Sequence, residues 1–172
     1  MSKLYVNEIA SKTGSTTAMT IDSSGNASFA GKITSATLPA FRAYGQDASW
    51  TDYTDGQILT FKNASTGDYF NQGGHFDEST YKFTCPVDGV YLFGFSLYVM
   101  ENDSNGSFTL HRNGTALSNG FKIQTGDNST TDRTFSATWT LLCSSGDEIA
   151  VHCLSAMDVY AQQSQFHGHL VG

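Results

Sequence analysis

Lys82-Phe83-Thr84-Cys85-Pro86-Val87-Asp88-Gly89-Val90-Tyr91-Leu92-Phe93-Gly94-Phe95-Ser96-Leu97 is the stretch that decides the fold. It reads as a short strand, a turn at Pro86-Val87-Asp88-Gly89, and a long strand. From Val90 the alternation is strict. Tyr91, Phe93, Phe95 and Leu97 stand two apart and share one face of a pleated strand. Val90, Leu92, Gly94 and Ser96 face the other way, and two of these are small. A face with three consecutive aromatics needs a broad apolar partner, most simply a second sheet.

Outward from this stretch the chain keeps the pace of a β-sandwich. Ala40 to Tyr44 and Gln57 to Phe61 read as strands, with a polar-aromatic loop carrying Trp50 and Tyr53 between them. Ser107 to Arg112 alternates and meets Asn113-Gly114, a strong hairpin signal. Thr134 to Cys143, Glu148 to Leu154 and Gln165 to Val171 supply further strands. No helix of convincing length and no solenoid repeat occurs, which excludes scaffolds of alternating strands and helices.

Composition agrees. Charged residues are 15% of the chain, against about 25% in an ordinary soluble domain. Ser, Thr, Asn and Gly are abundant instead, as suits polar strand faces and tight turns. A formal net charge of -7 works against nucleic acid and anionic membrane as partners. No apolar run approaches a membrane span, and Met1 to Glu8 lacks the layout of an export signal. Cys85, Cys143 and Cys153 are odd in number and form no C-x-x-C, so buried thiols are expected, with a Cys143–Cys153 pair as the alternative.

Phe83, Gly89, Tyr91, Phe93 and Phe95 fit the pattern F-x5-G-x-Y-x-F-x-[FY], and Phe76 and Asn71 precede them at matching spacing. In these residues the chain resembles the complement-component-1q-like globular head, a trimeric jelly roll related to tumour necrosis factor. The Phe expected before Asn71 falls on Ser65. Phe61 stands too early, which implies an insertion between Lys62 and Phe70. Leu141 to Val151 and the closing Phe166 to Leu170 also follow the family pattern. The resemblance implies an all-β, ten-strand jelly-roll sandwich over residues 38–172, assembling as a homotrimer. At its threefold seam it would place Tyr91, Phe93, Phe95, Tyr98, Phe166 and Leu170.

Residues 1–37 differ. Leu4, Val6 and Ile9 mark a short extended segment, and Ala18 to Gly31 reads as a β-hairpin with a turn at Ser23-Ser24-Gly25-Asn26. The segment has too few apolar residues for a private core and must pack on something else. Its wording, L-x-V-x-x-I followed by T-I-D-S-S-G-N-x-x-F-x-G, is similar to openings of bacteriophage tail-fibre and other virion proteins. That likeness implies a docking or stalk segment with Leu4, Val6, Ile9, Ile21 and Phe29 as contacts to another capsid or tail protein. The functional expectation is a non-enzymatic virion protein displayed as a short fibre or adhesin on the particle surface. The alternatives are a capsid decoration protein docked through residues 1–37 and a soluble trimeric ligand or lectin-like protein.

No G-x-S-x-G elbow and no glycine-rich phosphate loop is present, so no catalytic residue is assigned. Trp50, Tyr53, Tyr69 and Tyr160 fall in or beside expected loops and are the candidates for meeting a host-surface glycan or protein. Packing between subunits is the competing role for these rings. His167 and His169 lie two apart on one strand face, a spacing that suits a metal pair, and neutral histidines at a seam are the plainer reading. Asp47, Asp52 and Asp55 share a loop and are the weak candidates for calcium. No D-x-D-x-D-G loop accompanies them, and the expected protein carries no cofactor. His111 and His152 are assigned no role.

Overall fold

The computed structural model describes residues 8–10, 17–30, 38–45, 48–62, 69–100, 106–117, 122–124 and 132–172. The chain divides into two compact units, Met1–Ala36 and Thr37–Gly172.

In the first unit β1 (Glu8–Ala10), β2 (Thr17–Ile21) and β3 (Ala27–Phe29) form an antiparallel sheet in that order. The expected hairpin is β2–β3, and β1 adds to its other edge. Asp22 builds the turn. Its Oδ1 accepts the N–H groups of Ser24 and Asn26 at 2.8 and 2.9 Å, while Gly25 takes φ 83°. Register sets Ile9 against Met19 and Met19 against Phe29. Phe29 is 50% exposed. Leu4 and Val6 lie outside the described residues.

The second unit is a sandwich of two antiparallel sheets. Its strands are β4 (Ala40–Tyr44), β5 (Trp50–Tyr53), β6 (Phe70–Gln72), β7 (Phe76–Asp77), β8 (Lys82–Thr84), β9 (Gly89–Met100), β10 (Ser107–Arg112), β11 (Thr115–Ala116), β12 (Lys122–Gln124), β13 (Arg133–Cys143), β14 (Glu148–Ser155), β15 (Met157–Tyr160) and β16 (Gln165–Leu170). The 7-stranded sheet is organised on β9. One edge of β9 pairs with β13 along its length; the other pairs with β16 and then β15. β4 and β6 continue beyond β16, and β5 beyond β15. The 6-stranded sheet runs β11-β10-β14-β8-β7, with β12 beside β11 on the edge of β10. The strands outnumber the expected ten because short segments such as β7 and β11 form ladders of their own.

Two readings of the sequence are corrected. Residues 57–61 form no strand; they cross between the sheets through single bridges, Ile58 to His152 and Tyr44 to Lys62. Residues 50–53, read as loop, form β5, because the distant β15 satisfies their backbone.

The core is aromatic. Phe41 stacks between Phe76 and Phe83 at centroid distances of 4.9 and 4.8 Å, and Phe166 meets Phe41 edge-on. Asn71 fixes one wall of this stack. Its Oδ1 accepts the Phe76 N–H at 3.0 Å and its Nδ2 donates to the Phe76 carbonyl at 2.8 Å. Gly168 is buried where a Cβ would stand 2.4 Å from the Phe93 ring, so glycine makes room for that ring.

Candidate functional site

Strand alternation puts half of β9 on the outer face of the seven-stranded sheet. There Leu92, Gly94 and Ser96 lie opposite Thr140, Thr138 and Ser136 of β13, and opposite His169, His167 and Gln165 of β16. Across β16 stand Ala40, Arg42 and Tyr44 of β4, with Phe70 of β6 opposite Arg42. The middle of this face is low. The Nε2 of His167 occupies the space a Cβ on Gly94 would fill, 2.7 Å from that position.

At one end of the sheet three apolar residues remain open on adjoining segments: Leu142 is 74% exposed, Val171 59% and Val90 38%. Leu142 pairs with Val90, whose carbonyl accepts the Val171 N–H at 2.7 Å. At the other end three rings gather. Trp50 stacks on Tyr98 at 5.6 Å and meets Tyr160 edge-on at 5.2 Å, while Tyr98 and Tyr160 are 6.2 Å apart. The Tyr98 hydroxyl donates to Asp132 Oδ2 at 3.1 Å. All three rings are half-buried, an arrangement suited to an aromatic platform with polar neighbours.

The candidate aromatics therefore separate. Trp50 and Tyr160 come together and recruit Tyr98. Tyr69 packs instead on Tyr44 at 4.0 Å, with the Arg42 guanidinium 5.1 Å from its ring centroid. Tyr53 is buried at 5% exposure, its hydroxyl bonded to Thr60, so it is a structural residue and not a contact for a ligand.

The assignment of seam residues is also corrected. Tyr91, Phe93, Phe95 and Phe166 are at most 1% exposed within one chain. They face the opposite sheet and have no surface left for another subunit. Leu170 is half-buried against the same core, and Tyr98 remains on the outer face. Alternation gave the apolar face of β9 a second sheet as its partner, and that is where it packs; the seam placement came from the family resemblance.

Asp47 lies outside the described residues. Asp52 and Asp55 are exposed. Among the described residues no group of three or more His, Cys, Asp or Glu is placed to hold a metal ion. His167 and His169 sit on the outer face, His167 half-buried and His169 exposed. Burial holds His167 below the usual imidazole value, and the charges of Arg42 and His169 add to this.

His111 and His152, apparently isolated in sequence, stack at 3.7 Å across β10 and β14 with their planes 7° apart. Each Nδ1–H donates to a glycine carbonyl, Gly114 at 3.2 Å and Gly56 at 3.0 Å. Only the register between the strands brings them together, so spacing gave no signal. The three cysteines are free and buried. The neighbour of Cys143 is Cys85 rather than Cys153. The Cys85 thiol is pushed up by its hydrogen bond with Cys143 and by burial, and burial pushes Cys153 up to about 11.

Two packed antiparallel sheets with this strand order define a jelly-roll head of the kind shared by complement and tumour-necrosis-factor proteins. The C1q domain model matches residues 40–171, and the chain belongs to that family. Among solved structures it is similar to the globular domain of zebrafish complement 1qA protein, at 20% identity and a TM-score of 0.61, over 78% of this chain and 98% of that one. It is also similar to the Eiger TNF of S. frugiperda, at 15% identity and a TM-score of 0.57, over 79% of this chain and 94% of that one. No curated protein matches the sequence.

Proposed function

We propose that the protein is a non-enzymatic bacteriophage virion protein. A homotrimeric C1q-type head is carried on a docking segment, residues 1–37, and displayed as a short fibre or adhesin for the host surface. The observation that carries this reading is the outer face of the seven-stranded sheet. It combines uncovered apolar residues at one end with a ring cluster at the other. Leu142, Val90 and Val171 lose their water contact only against another surface, and a second and third copy supply it. Trp50, Tyr98 and Tyr160 offer a platform for a glycan or protein, and threefold display multiplies weak contacts by avidity. In the N-terminal unit the register aligns Ile9, Met19 and Phe29 across three strands, and Phe29 stays exposed, as a docking face requires.

Immunogold electron microscopy of intact particles with antibody to the head tests the placement. Label at the tail agrees with an adhesin. Label over the shell shifts the role to capsid decoration through residues 1–37. Absence of label from every particle removes the virion role and leaves a soluble trimeric ligand. Light scattering tests the assembly, and a monomeric mass ends the trimer reading.

A further inference from the structure

Cys85 and Cys143 join the two sheets of the head. Cys143 is the last residue of β13, in the seven-stranded sheet, and Cys85 follows β8, in the six-stranded sheet. The backbone holds them close from two sides. Beyond β13 the chain turns back against Cys85, whose N–H donates to the Asp147 carbonyl and whose carbonyl accepts the Gly146 N–H, both at 2.8 Å. Beyond Cys85 the chain reaches Gly89, which stands opposite Cys143 in the β9–β13 register. Both side chains belong to the core between the sheets, at 0% and 2% exposure, and their thiols hydrogen-bond each other. Arg112 flanks the pair. Its Nη2 lies 4.0 Å from Cys143 Sγ and donates to the Leu142 carbonyl at 3.0 Å. Asp147 offsets part of that charge, its Oδ2 3.8 Å from Arg112 Nε. Cys153 is engaged elsewhere, its Sγ donating to the Ser155 carbonyl at 2.7 Å.

We propose that Cys85 and Cys143 are a peroxide-responsive pair that closes to a disulfide across the two sheets. Cys143 is the nucleophile. The hydrogen bond from Cys85 and then the Arg112 guanidinium favour its thiolate, against burial and the Asp147 charge. That thiolate attacks one oxygen of hydrogen peroxide and the O–O bond breaks. The leaving hydroxide takes up the proton that Cys143 shed and becomes water, and Cys143 is left as a sulfenic acid. The Cys85 sulfur then attacks the Cys143 sulfur, and the sulfenic hydroxyl leaves with the Cys85 proton as a second water. In sum two thiols and one peroxide give one disulfide and two waters, with two electrons passing from sulfur to oxygen. Burial selects a small oxidant of this class over a bulky disulfide, because the attacking thiol must be reached. Both thiols face the space between the sheets of one chain. The inference therefore stands apart from the trimer reading, which covers the outer face of the seven-stranded sheet.

The test treats the native full chain with excess hydrogen peroxide, then denatures it and counts its thiols. The count should fall from three to one, and dithiothreitol should restore it. Cleavage after Lys82, Arg112, Arg133 and Glu148 separates the three cysteines, and the bridged peptides should carry Cys85 and Cys143. Cys153→Ala should close the same bridge at the same rate. Cys85→Ala should stop at the sulfenic acid, which dimedone captures on Cys143. Arg112→Gln should slow the loss of thiols at least about threefold. Circular dichroism confirms that each variant folds, and the wild type with Cys153→Ala decides the matter if another does not. Three thiols left after peroxide treatment overturn the proposal. So does a bridge that contains Cys153, or Cys143 advancing to the sulfinic acid while Cys85 stays a free thiol.

Discussion

Asn71 reaches one turn forward and holds Phe76 by both its backbone groups, so one amide side chain sets the position of a ring in the core stack. Asn71→Ala leaves a buried N–H and carbonyl without these partners. It should cost about 1–3 kcal/mol in urea unfolding, with Asn71→Asp keeping the acceptor and losing less. The histidines set the response to acid. His111 is held below its ordinary value by burial, against the opposing Gly114 carbonyl. His152 is lowered by burial, with the charges of His111 and Lys82 adding and the Gly56 carbonyl opposing. His167 is lowered for the reasons given above. The unfolded chain takes up these protons at an ordinary imidazole value, about 6.5, while the native chain resists them. Stability should be full above that pH, fall as the pH drops through it, and level off once the native rings are charged too. Melting temperatures across this range test the sign, and His111→Gln with His152→Gln should flatten the fall. Asn71 and Phe76 were legible through their match to the family pattern. The histidine pair was not, because no single strand contains it.

At the scale of elements, β9 and β16 were legible because each carries its own record of two faces. In β9 the record is aromatic against small; in β16 the buried Phe166 and Gly168 alternate with the half-buried His167 and the exposed His169. β5 was illegible because Trp50-Thr51-Asp52-Tyr53 alternates no better than a loop, and its strand character comes from β15, far along the chain. Tyr98 could be placed on the outer face by counting along β9, but its meeting with Trp50 depended on β5 and stayed hidden. The same dependence makes Gly168 sensitive. Gly168→Ala drives a methyl into the Phe93 ring and toward the Leu92 carbonyl, atoms of the core and the neighbouring strand. Overpacking of this kind should cost about 1–3 kcal/mol, measured by thermal or urea unfolding. Gly114→Ala tests the other use of glycine, since no atom crowds that site and only its φ of 78° opposes a side chain.

For the whole molecule, the two units differ in what holds them together. Among the described residues, every member of the large buried cluster lies between Phe41 and Phe166, none in the first unit. A chain lacking residues 1–37 should therefore melt within a few degrees of the full protein, as calorimetry would show; on the docking role proposed for that segment, it should also fail to join particles. Loss of folding on truncation would refute that division. The position of β16 has a temporal consequence. It is the final strand of the head, yet it lies between β9 and β4 in the middle of its sheet. While the head is being synthesised, β4 and β9 emerge early and find their shared neighbour missing. The sheet can close only after β16 has left the ribosome, so the head closes late and slowly, as non-local pairing requires. Until that moment the aromatic faces of β4 and β9 are uncovered, and a nascent chain stalled before Gln165 would be a substrate for chaperones instead of a half-built head.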